Sequence, residues 1–236
     1  FGQNQYSKGS WSIYNKENKK LLKLFEVNPE YNKLQKGIFQ HLNMTTTDGL
    51  EIEGFLIVPE SINDVKAPLI VIPHGGPIGV RDYAYNDSTQ HFLASHGYAS
   101  LKVNYRGSGG YGKHFKESGK KEWGKKIEAD INEMVDYGLA KYNLAADKIC
   151  AMGSSYGGYS AVMLSIIYPE RYKCAVSYAG VMDIPLLFSS SRYKFHSRVD
   201  EKMKEIVGDP NEDYEQLMNT SPLYLTDKIN NPIYLL

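Results

Sequence analysis

Six residues, Pro68-Leu-Ile-Val-Ile-Pro73, do most to limit what this chain can become. An unbroken apolar run closed at both ends by proline has no polar face to turn to water. It reads as a strand covered on both sides, the position of a parallel strand between helices. The surrounding segments agree. Ile38 to Met44 and Glu51 to Val58 read as an antiparallel pair around the Asp48-Gly49 turn, and Tyr98 to Asn104, Lys148 to Met152 and Lys173 to Tyr178 as further strands. Ser88 to His96 and Tyr156 to Ile167 read as helices. From Trp123 to Leu139 the residues Ile127, Ile131, Met134, Val135 and Gly138 recur at helical spacing, while Lys125, Lys126, Glu128, Asn132, Glu133 and Asp136 are assigned to the other side. A polar, partly helical excursion runs from Ser189 to Thr226, and Pro232-Ile-Tyr-Leu-Leu236 opens another strand. Strands alternating with helices predict an α/β fold with a mostly parallel, doubly wound sheet, mixed at its start.

The first 36 residues differ from the rest. Trp11 to Tyr14 and Leu21 to Phe25 flank a polar turn and predict a β-hairpin, followed by a polar linker to Lys36. An isolated hairpin is marginal in water, so it is expected to pack on something. The expected organisation is therefore a hairpin and linker over 1–36 and an α/β domain over 37–236. Lys+Arg and Asp+Glu are equal at 27 each, which leaves no basic face for nucleic acid. No stretch approaches the ~20 apolar residues of a membrane helix. Cys150 and Cys174 are too few for a disulfide scaffold or, by themselves, a structural zinc site; they are expected as buried free thiols, and these together with the zero net charge point to a cytoplasmic location. No metal or cofactor is called for.

Chemistry concentrates in three glycine-rich places. Gly153-Ser-Ser-Tyr-Gly157 is a G-x-S-x-G pentapeptide between an apolar strand and a helix. In that setting a sharp turn lifts the middle serine, Ser155, above the sheet, and the helix N-terminus favours negative charge beside it. The plainer reading is a Gly/Ser helix start, with Ser154 as cap. His74-Gly-Gly-Pro77 directly follows the buried strand, where consecutive glycines let backbone amides face a substrate oxygen; the plainer reading is a glycine turn with a core histidine. Arg106-Gly-Ser-Gly-Gly-Tyr-Gly112 lacks the lysine of a phosphate loop and reads as a tight loop packed beside the site, with Arg106 tied to carbonyls or a carboxylate.

Taken together, Val103-Asn-Tyr-Arg-Gly-Ser-Gly-Gly-Tyr-Gly112, His74-Gly-Gly-Pro77 and Gly153-Ser-Ser-Tyr-Gly-Gly-Tyr159, in this order and spacing, resemble the prolyl oligopeptidase family, and most of all its acylaminoacyl-peptidase and dipeptidyl-peptidase branch. Gly208-Asp-Pro210 and Ser221-Pro-Leu223 are similar to that branch too. The resemblance covers roughly residues 40 to 236. It implies an α/β-hydrolase fold and a serine peptidase that cleaves short peptides through an acyl-enzyme. Ser155 is implied as nucleophile, the Gly76 and Tyr156 amides as the oxyanion hole, and Val181, Ile184 and Leu187 as lining of an apolar substrate pocket. It also implies that the hairpin is a remnant of a preceding β-propeller.

In this family the triad acid and histidine follow the serine, on strands at and after the one that begins at Pro232, so both are expected beyond Leu236. The expected fold thus lacks its last strand and helix, the chain is expected to be nearly inactive, and the open sheet edge is expected to favour self-association. Of six histidines only His196 follows Ser155. A substitute triad of Ser155, His196 and Asp183 can be written, but His196 sits among Arg192, Lys194 and Arg198, which reads as solvated surface. The competing readings are a carboxylesterase on the same fold and a non-catalytic domain that has lost its triad.

Overall fold

The computed structural model describes residues 2–4, 7–60, 65–84, 87–189 and 197–236. Strands β1 (Gly2–Asn4), β2 (Ser7–Asn15) and β3 (Lys20–Glu26) form a small antiparallel sheet in that order. The expected hairpin is present as β2 and β3, with β1 added as a third strand. The segment expected as linker contains a 3-10 turn, Pro29–Lys33, which Asn28 starts and which buries Tyr31.

The chain then runs through β4 (Ile38–Thr45), β5 (Glu51–Val58), β6 (Ala67–Val71), α1 (Ser88–Ser95), β7 (Ala99–Asn104), α2 (Gly112–Glu117) and α3 (Lys126–Lys141). It continues with β8 (Leu144–Ser154), α4 (Tyr156–Ile167), β9 (Tyr172–Tyr178), α5 (Ile184–Ser189), α6 (Ser197–Val207), α7 (Tyr214–Asn219) and β10 (Ile233–Leu235). The seven strands from β4 onward make one sheet in the order β10-β9-β8-β6-β7-β5-β4. β5 runs antiparallel to both β4 and β7, and β7, β6, β8, β9 and β10 are parallel. This is the mixed, doubly wound sheet that the Pro68–Pro73 run demanded, with that run at its centre.

Strand alternation splits the sheet into two unlike faces. Ile52, Leu56, Leu69, Val71, Leu101, Val103, Ile149 and Ala151 turn to one side and join Ile127, Ile131, Met134 and Val135 of α3 and Val162 and Leu164 of α4 in one apolar core. Gly54 lies on this face, and a Cβ there would press on Met134 of α3 at 3.1 Å. The opposite face meets α1 and is more polar: Gln90 and His91 of α1 and Ser100 of β7 are all buried. Gln90 satisfies itself on the Phe55 and Ser100 carbonyls, at 3.2 and 3.1 Å.

Two expectations about side chains fail. Cys150 and Cys174 face each other in register on the parallel strands β8 and β9, with Cα atoms 4.8 Å apart, and their sulfurs are bonded. They are not free thiols, and the thiol ground for expecting a cytoplasmic location falls with them, since such bonds persist chiefly in oxidising compartments. Glu128, assigned to the outward side of its helix, is fully buried. It precedes Val135 by two full turns and so belongs by angle to the buried stripe, whatever its charge. Among the described residues no helix is long and apolar enough to cross a membrane.

Candidate active site

The pentapeptide forms a strand-to-helix elbow. β8 ends at Ser154, α4 starts at Tyr156, and Ser155 between them is held at φ 56° and ψ −125°. A non-glycine residue takes such a backbone conformation only when its surroundings impose it. Here the Ser155 amide donates to the Tyr178 carbonyl at 2.9 Å, and its carbonyl accepts from the Tyr159 amide at 3.1 Å. The flanking glycines are sterically required: a Cβ on Gly153 would overlap the Gly157 carbonyl, and one on Gly157 would overlap the Pro73 carbonyl oxygen. The elbow is thus wedged against the end of the central strand, and Ser155 itself is exposed.

The loop after β6 comes to the same place. A Cβ on Gly75 would sit 3.7 Å from the Ser155 Cβ, so this loop passes beside the serine. Gly76 follows at φ +127°, a conformation that favours glycine. The Tyr156 amide, first of its helix, has no intrahelical acceptor. The arrangement brings a lifted hydroxyl, a helix N-terminus and a glycine loop together at the carboxyl ends of neighbouring parallel strands.

His74 is not a base for this hydroxyl. It is buried, with Nε2 2.9 Å from the Ser108 hydroxyl and Nδ1 2.8 Å from the Gly75 carbonyl. Its ring stacks on Tyr105 at 4.2 Å between centroids, and the Tyr105 hydroxyl donates to the His74 carbonyl at 2.7 Å. Burial pushes its pKa below the usual histidine value, so it stays neutral. The plainer reading of His74 as a core residue therefore holds, and its work is to brace the Gly75-Gly76 turn.

The glycine-rich loop after β7 packs where it was expected. The Gly79 amide donates to Gly107 at 2.8 Å and the Gly109 amide to Val80 at 2.9 Å, so this loop and the Gly76 loop are laced together. Arg106 is tied to carboxylates: it reaches Asp130 at 2.6 and 2.9 Å and Asp48 at 3.0 Å through both terminal nitrogens. Asn104 holds the next stretch of the Gly76 loop, accepting from the Asp82 amide at 2.8 Å and donating to its carbonyl at 3.0 Å.

Among the described residues, nothing hydrogen-bonds the Ser155 hydroxyl. His41 pairs with Glu53, His91 accepts from the Gly37 amide, and His96 bonds within its own helix. Asp183 is engaged by the Leu186 amide and the Tyr224 hydroxyl. His196 lies outside the described residues. Of the three candidate pocket residues, Ile184 is fully buried in the core, with its amide donating to the Ser221 hydroxyl at 2.9 Å, and Val181 and Leu187 are half-buried.

Sequence reasoning missed what lies beneath. The Tyr156 side chain, fully buried, donates to Glu128 Oε1 at 2.9 Å. Its ring is enclosed by Trp123, Tyr159 and Tyr105, at centroid distances of 4.5, 5.4 and 6.0 Å. The angular position of Glu128 was the available signal.

Residues 83–236 match the prolyl oligopeptidase family. The dipeptidyl aminopeptidase BIII of Pseudoxanthomonas mexicana is 31% identical over 224 residues, covering 91% of this chain and 32% of that protein. The dipeptidyl peptidase family member 6 of Caenorhabditis elegans is 27% identical, covering 95% of this chain and 33% of its own length. Among solved structures, the acylaminoacyl peptidase of Pyrococcus horikoshii superposes with a TM-score of 0.81 at 26% identity, over 99% of this chain and 37% of that one. The chain spans about a third of the length of these relatives.

Proposed function

Because the chain belongs to the prolyl oligopeptidase family, we propose that it carries the nucleophile and the oxyanion donors of a serine peptidase acting on short peptides. Ser155 attacks the scissile carbonyl carbon, giving up its hydroxyl proton, which passes to the leaving amine, and the carbonyl oxygen, now negative, is held by the Gly76 and Tyr156 amides. Collapse of that adduct breaks the C–N bond, the amine leaves with a proton, and water then releases the acyl group from Ser155. The observation that carries this reading is the Ser155 backbone at φ 56° beside the Gly75-Gly76 turn. The names of the relatives, dipeptidyl aminopeptidase and acylaminoacyl peptidase, support short peptides as the substrate class. Val181 and Leu187 are proposed as apolar lining for the residue before the cleaved bond, with Ile184 supporting them from the core.

A serine hydroxyl without a base is almost wholly protonated at neutral pH and reacts slowly. With no base beside Ser155 among the described residues, the 236-residue chain by itself is expected to turn over far below an ordinary peptidase. The test is reaction with a fluorophosphonate, read by intact mass, beside turnover of aminoacyl-nitroanilides and acyl esters. Slow single-site labelling that Ser155→Ala abolishes is expected. Labelling that survives Ser155→Ala overturns the assignment, brisk anilide turnover overturns the missing base, and ester turnover without anilide turnover favours an esterase.

A further inference from the structure

The two amides assigned to the oxyanion hole come from different segments, one from the loop after β6 and one from the start of α4. The two segments meet directly where Gly157 packs against the Pro73 carbonyl, and buried phenols behind them join them a second time. Tyr156 contributes its amide to the site and sends its side chain down to Glu128. Tyr105 leans on the Tyr156 ring, stacks on His74 and donates its hydroxyl to the His74 carbonyl, two residues before Gly76. A continuous path of contacts thus runs from Glu128 through Tyr156 and Tyr105 to His74 and the Gly75-Gly76 turn. Tyr105, Tyr156 and Glu128 are all essentially without solvent exposure.

We propose that Tyr105 and Tyr156 are positioning residues that hold the two oxyanion amides in one frame, and that the charge on the buried Glu128 carboxyl adjusts that frame. The inference rests on the reading of Gly76 and Tyr156 as the oxyanion donors. A carboxylate accepts the Tyr156 hydroxyl proton more strongly than a neutral acid does. Gain of charge at Glu128 therefore draws on the Tyr156 side chain, and through the ring contacts on the His74 turn.

The surroundings make Glu128 the group that responds near neutrality. Burial raises its pKa to about 7, against the opposing hydrogen bond from Tyr156. The buried Ser160 hydroxyl opposes the rise as well, although neither it nor Glu128 Oε2 makes a hydrogen bond of good geometry. The titratable groups around it are phenols: Tyr156 and Tyr159 from α4, Tyr105 from the end of β7, and Tyr168 and Tyr172 farther along. Burial raises all of these pKa values above the ordinary phenol value, so none of them ionises at neutral pH. The charged pair nearest along the helix, Asp130 with Arg106, faces the Asp48 turn instead.

The test needs no turnover. Amide resonances of the 15N-labelled chain are followed between pH 5.5 and 8.5, and benzeneboronic acid, which forms a tetrahedral adduct with a nucleophilic serine, is titrated by calorimetry. Both the Tyr156 and Gly76 amides are expected to shift with one common midpoint near 7, and to lose it in Glu128→Gln. Tyr105→Phe, which keeps the ring and removes the hydroxyl, is expected to weaken the boronate about 10-fold. A midpoint at Tyr156 without one at Gly76 overturns the shared frame, and no midpoint in either amide of the unaltered chain overturns the role of Glu128. Boronate affinity unchanged in Tyr105→Phe also counts against the frame. Boronate affinity unchanged in Ser155→Ala overturns the nucleophile instead, while the amide titrations still judge the frame.

Discussion

The two faces of the seven-stranded sheet hold the two arms of the candidate oxyanion site, and they do it by different physics. The face under α3 and α4 is apolar, and it fixes the helix that begins at Tyr156. The face under α1 is polar, and it fixes the continuation of the Gly76 loop. There Lys102 of β7 bridges Asp82 at 2.9 Å and Asp87 at 2.6 Å, with little solvent access to any of the three side chains. Asp87 also caps α1 through the Thr89 and Gln90 amides. Burial alone would push the Asp87 pKa up and that of Lys102 down; their mutual attraction reverses both, and Asp87 ends below and Lys102 above the ordinary value. Close packing tolerates small losses gradually, whereas a desolvated ion cluster depends on every member being present.

The largest effect is expected on the apolar face. Ile131→Ala removes a fully buried side chain from α3 and is expected to cost about 4 kcal/mol, read as a fall in the urea midpoint with unchanged m-value. A loss below 1 kcal/mol would mean that α3 repacks and that this face is not the rigid one. Next, Lys102→Ala leaves Asp82 and Asp87 facing each other unpaired. It is expected to cost about 3 kcal/mol and to broaden or shift the amide resonances of residues 76–84 more than those of α4. Equal disturbance at Tyr156 would erase the distinction between the two faces.

The smallest of the three effects depends on pH and sharpens the comparison, since Glu128 is the misplaced charge on the apolar face. Its folded pKa, about 7, lies above the ordinary 4.5. Between those values the folded chain keeps a proton that the unfolded chain has lost. Stability should therefore fall as pH rises through that window, by on the order of 1–3 kcal/mol. Glu128→Gln is expected to flatten this part of the stability–pH curve and to be the more stable protein at pH 8. An unchanged slope would place the carboxyl in a more polar setting than its burial indicates.

The parts of the site set by local backbone geometry were legible. Gly153, Ser155 and Gly157 announced an elbow because glycines two before and two after the serine relieve the crowding of strand and helix backbones at so sharp a turn. Gly75 and Gly76 announced a loop that approaches it closely, and Arg106 announced a tie to carbonyls or a carboxylate, of which the structure has the carboxylates of Asp130 and Asp48. Glu128 was misread because polarity was weighed over angle: two turns before Val135, it shares the stripe that Tyr156 covers. The cysteines were misread because each was judged alone. Their bond depends on the register of β8 against β9, where Cys150 lies beside Cys174. The third strand of the small N-terminal sheet and the burial of Tyr31 were likewise unread, since neither has a local pattern to mark it.

The main alternation of strands and helices from β4 onward, the doubly covered central strand and the position of the lifted serine follow from the sequence alone, because hydrophobic period and glycine placement act within a few residues. Tertiary structure alone decided which charges are buried, which cysteines meet and what braces the two amides. Those outcomes depend on strand register and on which helix covers which face, and both are settled between segments far apart in the chain.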